Sequence, residues 1–295
     1  MKKQRVAGSA PAAFAAVVEV ILAPQGGGWR CLDVNSALTL ACVCKACHQA
    51  LRRWLDAATA DVSMGQETRP VPVKLPAVMT FSAKLRTVTQ LMTFTYSMSV
   101  QLPVFASYEQ IKLPPLLLSK QRCDEQCQRV LRGRQVDIRV APCEGKGWGV
   151  LAMQPIEQGE FLGEYTGELV SSSEMRRRYR ERYDPKTINY VLSLREHVAH
   201  TGGLAFGIVC TNVDASERGN WTRLVNHSCS PNAEVAAVRV DSFVPQLALF
   251  AKSRIEAGEE LTFDYGGGAG GQQGGRRCRC GAAECREFLP AAVSK

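Results

Sequence analysis

The chain has 295 residues, 45% hydrophobic and 22% charged, with a net charge of +8, which is the composition of an ordinary globular protein with room for one large domain or two modest ones. No run approaches the roughly 18 apolar residues of a membrane-spanning helix, and Pro11 and Glu19 interrupt the apolar N-terminal run, so neither a membrane span nor a secretory signal is expected. The charge is uneven: residues 1–135 carry +9, residues 136–266 carry −4 and residues 267–295 carry +3, so the middle suits a basic substrate and the flanks could touch nucleic acid. Twelve cysteines are present; groups such as Cys42, Cys44, Cys47 and Cys278, Cys280, Cys285 look like metal spacing more than a disulfide framework, which points to nucleus or cytosol.

Residues 13–58 read as helical. Phe14, Val17, Val18 and Ile21 have helical spacing, Gly26-Gly27-Gly28 breaks the pattern, and a second periodic run carries Val34, Leu38, Ala41, Cys44, Cys47, Leu51 and Leu55. The segment from Leu32-Asp33-Val34 to Leu51 resembles an F-box, a short helical motif that docks a Skp-type adaptor of ubiquitin ligases; the resemblance implies an adaptor-binding segment over residues 10–60. Cys44-Lys45-Ala46-Cys47-His48 has the literal haem-attachment pattern, but cysteines on a buried helix face account for it better, because cysteine behaves there as a small hydrophobe. Residues 61–120, punctuated by Pro70, Pro72, Pro76, Pro103, Pro114 and Pro115, read as a linker with a few strands.

From Val136 the texture changes to short strands rich in Val, Ile, Phe and Tyr. Candidates are 136–141, 148–153, 160–165, 189–194, 206–213, 233–239, 246–252 and 261–264. One helix interrupts them, capped within Ser171-Ser172-Ser173-Glu174 and running from Met175 to Tyr183. Its arginines form a solvated face or reach nucleic-acid phosphates. The expected class is a mostly-β domain plus a small helical N-terminal region, α+β overall.

Several motifs lie on these elements. Gly145-Lys146-Gly147-Trp148-Gly149-Val150 sits between two strands and, taken alone, reads as a hairpin turn; a dinucleotide site is excluded because no helix follows. Gly163-Glu164-Tyr165-Thr166-Gly167-Glu168 places a tyrosine on a strand, where half-burial is its common fate. Asn189-Tyr190-Val191-Leu192, Val213-Asp214-Ala215 and Gly219-Asn220 lead to Arg223-Leu224-Val225-Asn226-His227-Ser228-Cys229-Ser230-Pro231-Asn232. Further on comes Gly258-Glu259-Glu260-Leu261-Thr262-Phe263-Asp264-Tyr265. His227 has no nearby carboxylate or second histidine in sequence, which makes a general base or a metal ligand a poor reading. Cys278-Arg279-Cys280, followed by Cys285, supplies three thiolates where tetrahedral zinc wants four ligands.

The Asn-His-Ser-Cys and Gly-Glu-Glu-Leu-Thr-Phe-Asp-Tyr runs, in this order and at this distance, resemble the two signatures of SET-domain protein-lysine methyltransferases. The Lys-Trp form of the Gly145–Val150 run is similar to the suppressor-of-variegation, histone H3 lysine-9 type. The resemblance covers about residues 121–289 and implies a β-clip of short sheets closed by a pseudo-knot. It divides the chain into a remnant pre-SET-like segment at 121–135, a SET domain at 136–266 and a post-SET zinc segment at 274–290. It implies S-adenosyl-L-methionine as cofactor, held by Lys146, Gly147, Trp148, Tyr190, Arg223, Asn226, His227 and Tyr265. Catalytic roles fall to Tyr265 and Tyr165, and Phe263 implies di- or trimethylation. One structural Zn2+ on Cys229, Cys278, Cys280 and Cys285 is implied by the same family. The implied partner is a histone H3 tail or another lysine-containing protein, in the nucleus first and the cytoplasm second. A nine-cysteine pre-SET segment is missing, since only Cys123 and Cys127 stand there. An adaptor that uses a SET fold only for binding is the different class left open.

The residue types suit the chemistry. Neutral pH lies about three units below the pKa of lysine, so presenting the amine neutral costs about 4 kcal/mol. A narrow, aromatic, poorly hydrated channel offsets this by disfavouring the ammonium, and positioning supplies most of the rest.

Overall fold

The computed structural model describes residues 34–43, 45–92, 95–98, 125–183, 190–199, 206–240, 244–266 and 276–289. The first expected helix, Cys44, Cys123 and Asn189 lie outside the described residues. The chain divides into two units, Met1–Thr95 and Tyr96–Lys295. Among the described residues no helix is long and apolar enough to cross a membrane.

The first unit is helical. Helix α1 (Val34–Val43) is followed by α2 (Lys45–Ala60), which buries Cys47, Ala50, Leu51, Trp54, Leu55 and Ala58. That spacing of three and four residues is the apolar stripe of a helix packed on one side. Cys47 is fully buried on this face, as the small-hydrophobe reading expects. The stretch read as a linker with strands is corrected here, because it carries helix α3 (Phe81–Leu91). Thr80 caps it by accepting a bond from the Ala83 N–H at 3.2 Å. Leu85, Val88 and Leu91 form its buried face, and the prolines that suggested a linker flank the helix without entering it.

The second unit is built of short strands. After β1 (Thr95–Tyr96), helix α4 (Glu125–Arg132) inserts Cys127 into an apolar cluster with Phe161, Val238, Ala248 and Phe250. Strands β2 (Ile138–Cys143) and β3 (Gly147–Ala152) form an antiparallel hairpin. Its turn uses positive φ at Gly145 and Gly147, a conformation that favours glycine. Strands β4 (Phe161–Glu164) and β5 (Glu168–Val170) precede helix α5 (Ser172–Glu181), capped by the Ser171 hydroxyl, which accepts from Glu174 N–H. Then come β6 (Val191–Ala199), β7 (Phe206–Asp214), β8 (Arg218–Gly219), β9 (Asn226–His227), β10 (Ala233–Val238), β11 (Gln246–Ala251) and β12 (Thr262–Phe263).

Two three-stranded antiparallel sheets, ordered β5-β7-β6 and β10-β11-β4, flank the site. The pair β9 and β12 is parallel, with Thr262 opposite Asn226 and Phe263 opposite His227. This is the sheet-rich, α+β arrangement with N-terminal helices that the sequence resemblance implies. Trp221, on a short 3-10 turn, is fully buried beneath β4. Gly163 makes that possible, since a Cβ there would come within 2.6 Å of the Trp221 ring.

Candidate active site and four-cysteine cluster

The last strand reaches Asn226 and His227 because the loop after β9 grips it. Asn232 donates to Glu259 Oε1 (2.8 Å) and to the Glu260 carbonyl (2.9 Å), and its Oδ1 accepts from Thr262 N–H (2.9 Å). Asn226 holds the other side: its amide donates to the Trp148 carbonyl (2.9 Å) and to Glu260 Oε1 (2.8 Å). Both amide hydrogens are thus engaged within the protein, and Oδ1 remains an acceptor. The second Glu260 oxygen pairs with the Lys146 ammonium. Glu260 and burial together push the nearby Cys143 thiol up to about 11, burial being the larger cause. Gly149 lets these groups meet, because a Cβ would lie 2.4 Å from Cys143 Sγ and 2.8 Å from Glu260 Oε1. Lys146, Gly147 and Trp148 therefore lie on the turn and strand directly beside Asn226.

An aromatic group stands next to this centre. The Phe263 ring lies 4.9 Å from Tyr265 and 6.5 Å, edge-on, from Tyr165. Tyr265 is partly exposed, but its hydroxyl turns inward and donates to the Val225 carbonyl at 3.0 Å. Tyr165 is buried and donates to the Tyr190 carbonyl at 2.9 Å. Burial, as the largest cause, raises the pKa of both phenols, so each keeps its proton and serves as a donor. The same Tyr190 carbonyl accepts from Ala215 N–H (2.8 Å), and the Arg223 guanidinium sits 3.7 Å over the Tyr190 ring. Burial lowers the pKa of Arg223.

His227 is neutral by the same logic. Burial lowers its pKa, and Tyr265 N–H donates to its Nδ1 at 3.2 Å. The ring proton then belongs on Nε2, which lies 3.3 Å from Cys229 Sγ. His227 thus links the tyrosine backbone to the sulfur cluster.

Cys229, Cys278, Cys280 and Cys285 bring four sulfurs within 4.8 Å of one another. Cys229 and Cys278 are 3.8 Å apart. Tetrahedral zinc with bonds of about 2.3 Å sets its sulfurs about 3.8 Å apart, so this cluster could hold a zinc ion. Backbone N–H groups of Arg286 and Glu287 point at Cys229 Sγ (3.3 Å) and Cys285 Sγ (3.4 Å), the outer bonding that thiolate ligands use. Without a cation, burial pushes the Cys278 thiol up to about 12, which a bound dication would reverse.

Two charged features were not assigned from the sequence. Glu260 was read only as part of a motif, because its partner Lys146 lies 114 residues away in the chain. Asp214 is a second: buried, it accepts from Arg178 (2.7 Å), Tyr183 (2.5 Å) and the Ser216 N–H (3.0 Å). Burial alone would raise its carboxyl, yet these donors hold it below the ordinary carboxylate range. Arg178 also binds Glu168 and Glu174, so one residue of α5 ties the helix to β5 and β7.

Among the described residues β6 and β10 are outer strands of their sheets. A groove of about 220 Å³ runs between Leu192–Leu194 of β6 and Ala233–Val235 of β10, and Tyr265 lines it.

Residues 147–266 match the family described as SET domain. The chain is 38% identical over 182 residues to the probable histone-lysine N-methyltransferase set-23 of Caenorhabditis elegans, covering 57% of this chain and 71% of that one. The chain belongs to the SET-domain family. It is also 40% identical over 185 residues to the histone-lysine N-methyltransferase SETMAR of Rattus norvegicus, covering 57% of this chain and 56% of the relative. Among solved structures, the methyltransferase domain of human SETMAR superposes with a TM-score of 0.58 at 28% identity, over 79% of this chain and 98% of that one. The SET-domain chain thus spans little more than half the length of the rat relative.

Proposed function

We propose that this chain is an S-adenosyl-L-methionine-dependent protein-lysine N-methyltransferase acting on the histone H3 tail, at lysine 9 by the form of its motifs. The observation that carries this reading is the meeting of Tyr165, Phe263 and Tyr265 beside Asn226 and His227, at a groove between two outer strands. An extended peptide fits such a groove as an added strand, with its lysine directed into the aromatic group.

The cofactor would be held by Lys146, Gly147, Trp148, Tyr190, Arg223, Asn226, His227 and Tyr265. Two observations favour the fit: Asn226 Oδ1 remains as an acceptor, and nothing lies within 4 Å of where a Gly147 Cβ would stand, so the backbone is open to a ligand. S-adenosyl-L-methionine supplies a methyl group made electrophilic by its sulfonium. The protein's part is orientation and desolvation. Tyr165 and Tyr265 keep their phenol protons and donate hydrogen bonds to the Tyr190 and Val225 carbonyls, which fixes both rings in place as walls for the lysine side chain. The aromatic walls exclude water and disfavour the ammonium, which offsets the cost of about 4 kcal/mol for a neutral lysine. Phe263 offers no hydroxyl to hold a water against the amine, which supports di- or trimethylation.

The zinc proposed at Cys229, Cys278, Cys280 and Cys285 has only protein ligands and acts structurally. The segment 274–290 then works as a post-SET wall, with 136–266 as the SET domain and 121–135 as a pre-SET-like remnant whose Cys127 packs in the core. Residence in the nucleus, and contact of the basic flanks with nucleic acid, follow from the chromatin reading.

Incubation with labelled S-adenosyl-L-methionine and a panel of histones and peptides, read by mass spectrometry, tests this. Tyr265→Phe is expected to cut transfer about a hundredfold or more while cofactor binding persists. Unchanged turnover would sink the role of Tyr265, and labelling only of other proteins would favour a non-histone lysine. The F-box-like segment 10–60, of which α1 and α2 are helical, is proposed to bind a Skp-type adaptor. Failure to retain that adaptor in a pull-down with the full chain would remove this second reading.

A further inference from the structure

The two strands that line the groove leave the site in the same direction. Tyr190 immediately precedes β6, and Asn226 to Cys229 precede β10. Beyond the lining residues, the strands are joined again. Arg239, directly after β10, donates from Nη1 to Glu196 Oε1 (2.8 Å) and from Nη2 to Glu196 Oε2 (2.7 Å). Both partners are withdrawn from water, with side-chain exposures of 6% and 19%. The pair is therefore bidentate and shielded, unlike the exposed ion pairs that contribute little.

Glu196 follows Leu192 and Leu194 with the strand period of two, so all three side chains leave the same face of β6. A strand inserted between two outer strands separates them by about 10 Å, twice the spacing of neighbours. The Arg239–Glu196 bridge joins the two strands just past the last groove-lining residues, Leu194 and Val235, so a peptide that runs along both strands meets it there. The pair lies about four extended residues along β6 from Leu192.

We propose that the Glu196–Arg239 pair is the end stop of the substrate groove, tying the two outer strands together and limiting how many peptide residues can lie between them on the side away from Tyr265. This rests on the peptide-groove reading above and adds a determinant of substrate length to it. The ligand class is an extended lysine peptide whose chain ends, or bends out of the groove, within a few residues of the target lysine on one side.

The test uses the full chain and histone H3 peptides lengthened two residues at a time on each side of the target lysine. For the wild type, kcat/KM should stop rising after about four residues on one side only. In Glu196→Gln and Arg239→Met, further lengthening on that side should raise kcat/KM about fivefold or more relative to the shorter peptide. The double reversal of Glu196→Arg with Arg239→Glu should restore the limit, and so guards against a variant that merely loosens the fold. A wild type that keeps gaining on both sides would overturn the proposal, as would single variants whose length dependence matches the wild type. Peptide affinity by fluorescence anisotropy repeats the comparison without turnover. Binding with the predicted length limit but no methyl transfer would overturn the enzymatic reading and leave the end stop standing.

Discussion

The body of the second unit and its C-terminal segment are held by different physics. Between residues 136 and 263 the structure closes over fully buried side chains such as Ile138, Leu162, Trp221, Leu249 and Leu261. Asp214 and Arg178 form a buried, hydrogen-bonded ion pair there. Residues 276–289 bury no side chain fully. A few backbone bonds, such as Cys278 N–H to Glu287 O at 2.7 Å, and the convergence of three cysteines on Cys229 give that segment its place. The first region follows from burial of apolar area; in the second, the zinc proposed on the four cysteines would make metal affinity folding energy. Cys229 belongs to both, and through it the tail reaches the site.

The largest effect should come from the core. Arg178→Met leaves Asp214 buried without its cation, which costs about 3–5 kcal/mol. Thermal unfolding should show a drop of about 10 °C, while the stoichiometry of bound zinc in the folded fraction stays unchanged. A small shift would mean that Tyr183 and Ser216 suffice for Asp214.

Next comes the metal. Cys280→Ser, or zinc removal by a chelator, should lower methyl transfer about tenfold to a hundredfold, at least as much as loss of an outer partner at other metal sites. The main thermal transition should move by less than about 3 °C, since the tail adds little buried area. Limited proteolysis should cut first within residues 276–289. If the core transition collapses with the metal, the contrast between the two regions fails.

The last effect is absent at low pH and sharpens the account of the core. Burial pushes the Glu164 carboxyl up to about 7, although Gln246 donates to it at 3.0 Å. The folded state therefore holds this proton more tightly than the unfolded chain. The stability it contributes is complete below about 4.5 and is lost as pH rises through about 7. Glu164→Gln, neutral throughout, should match the wild type below that window and exceed it above by about 3 kcal/mol. Denaturant melts at the two ends of the window would read this difference.

Much of the site was legible because its residues sit in contiguous runs. Asn226 to Cys229 and Thr262 to Tyr265 came out as motifs, and β2, β3, β4, β6, β7, β10 and β11 fell close to their expected ranges because their alternation and glycine boundaries are local. The two- and three-residue strands β5, β8 and β9 are too short to show a period and had no expected range. The helix α3 was hidden, since prolines on both sides of it dominate the composition.

The sequence by itself displayed three clustered thiols wanting a fourth, aromatic residues on short strands, an acidic middle between basic flanks, and the contiguous runs whose resemblance implies the chemistry. Local periodicity is enough for that, because it needs no partner distant in the chain. Only the tertiary structure decided which groups face each other. It set Glu260 between Lys146 and Asn226, Asp214 against Arg178, and Glu196 against Arg239, pairs separated by dozens of residues whose attraction leaves no local pattern. It also made His227 a neutral link between Tyr265 and Cys229, because burial and a backbone N–H, neither visible in the letters, determine which ring nitrogen carries the proton.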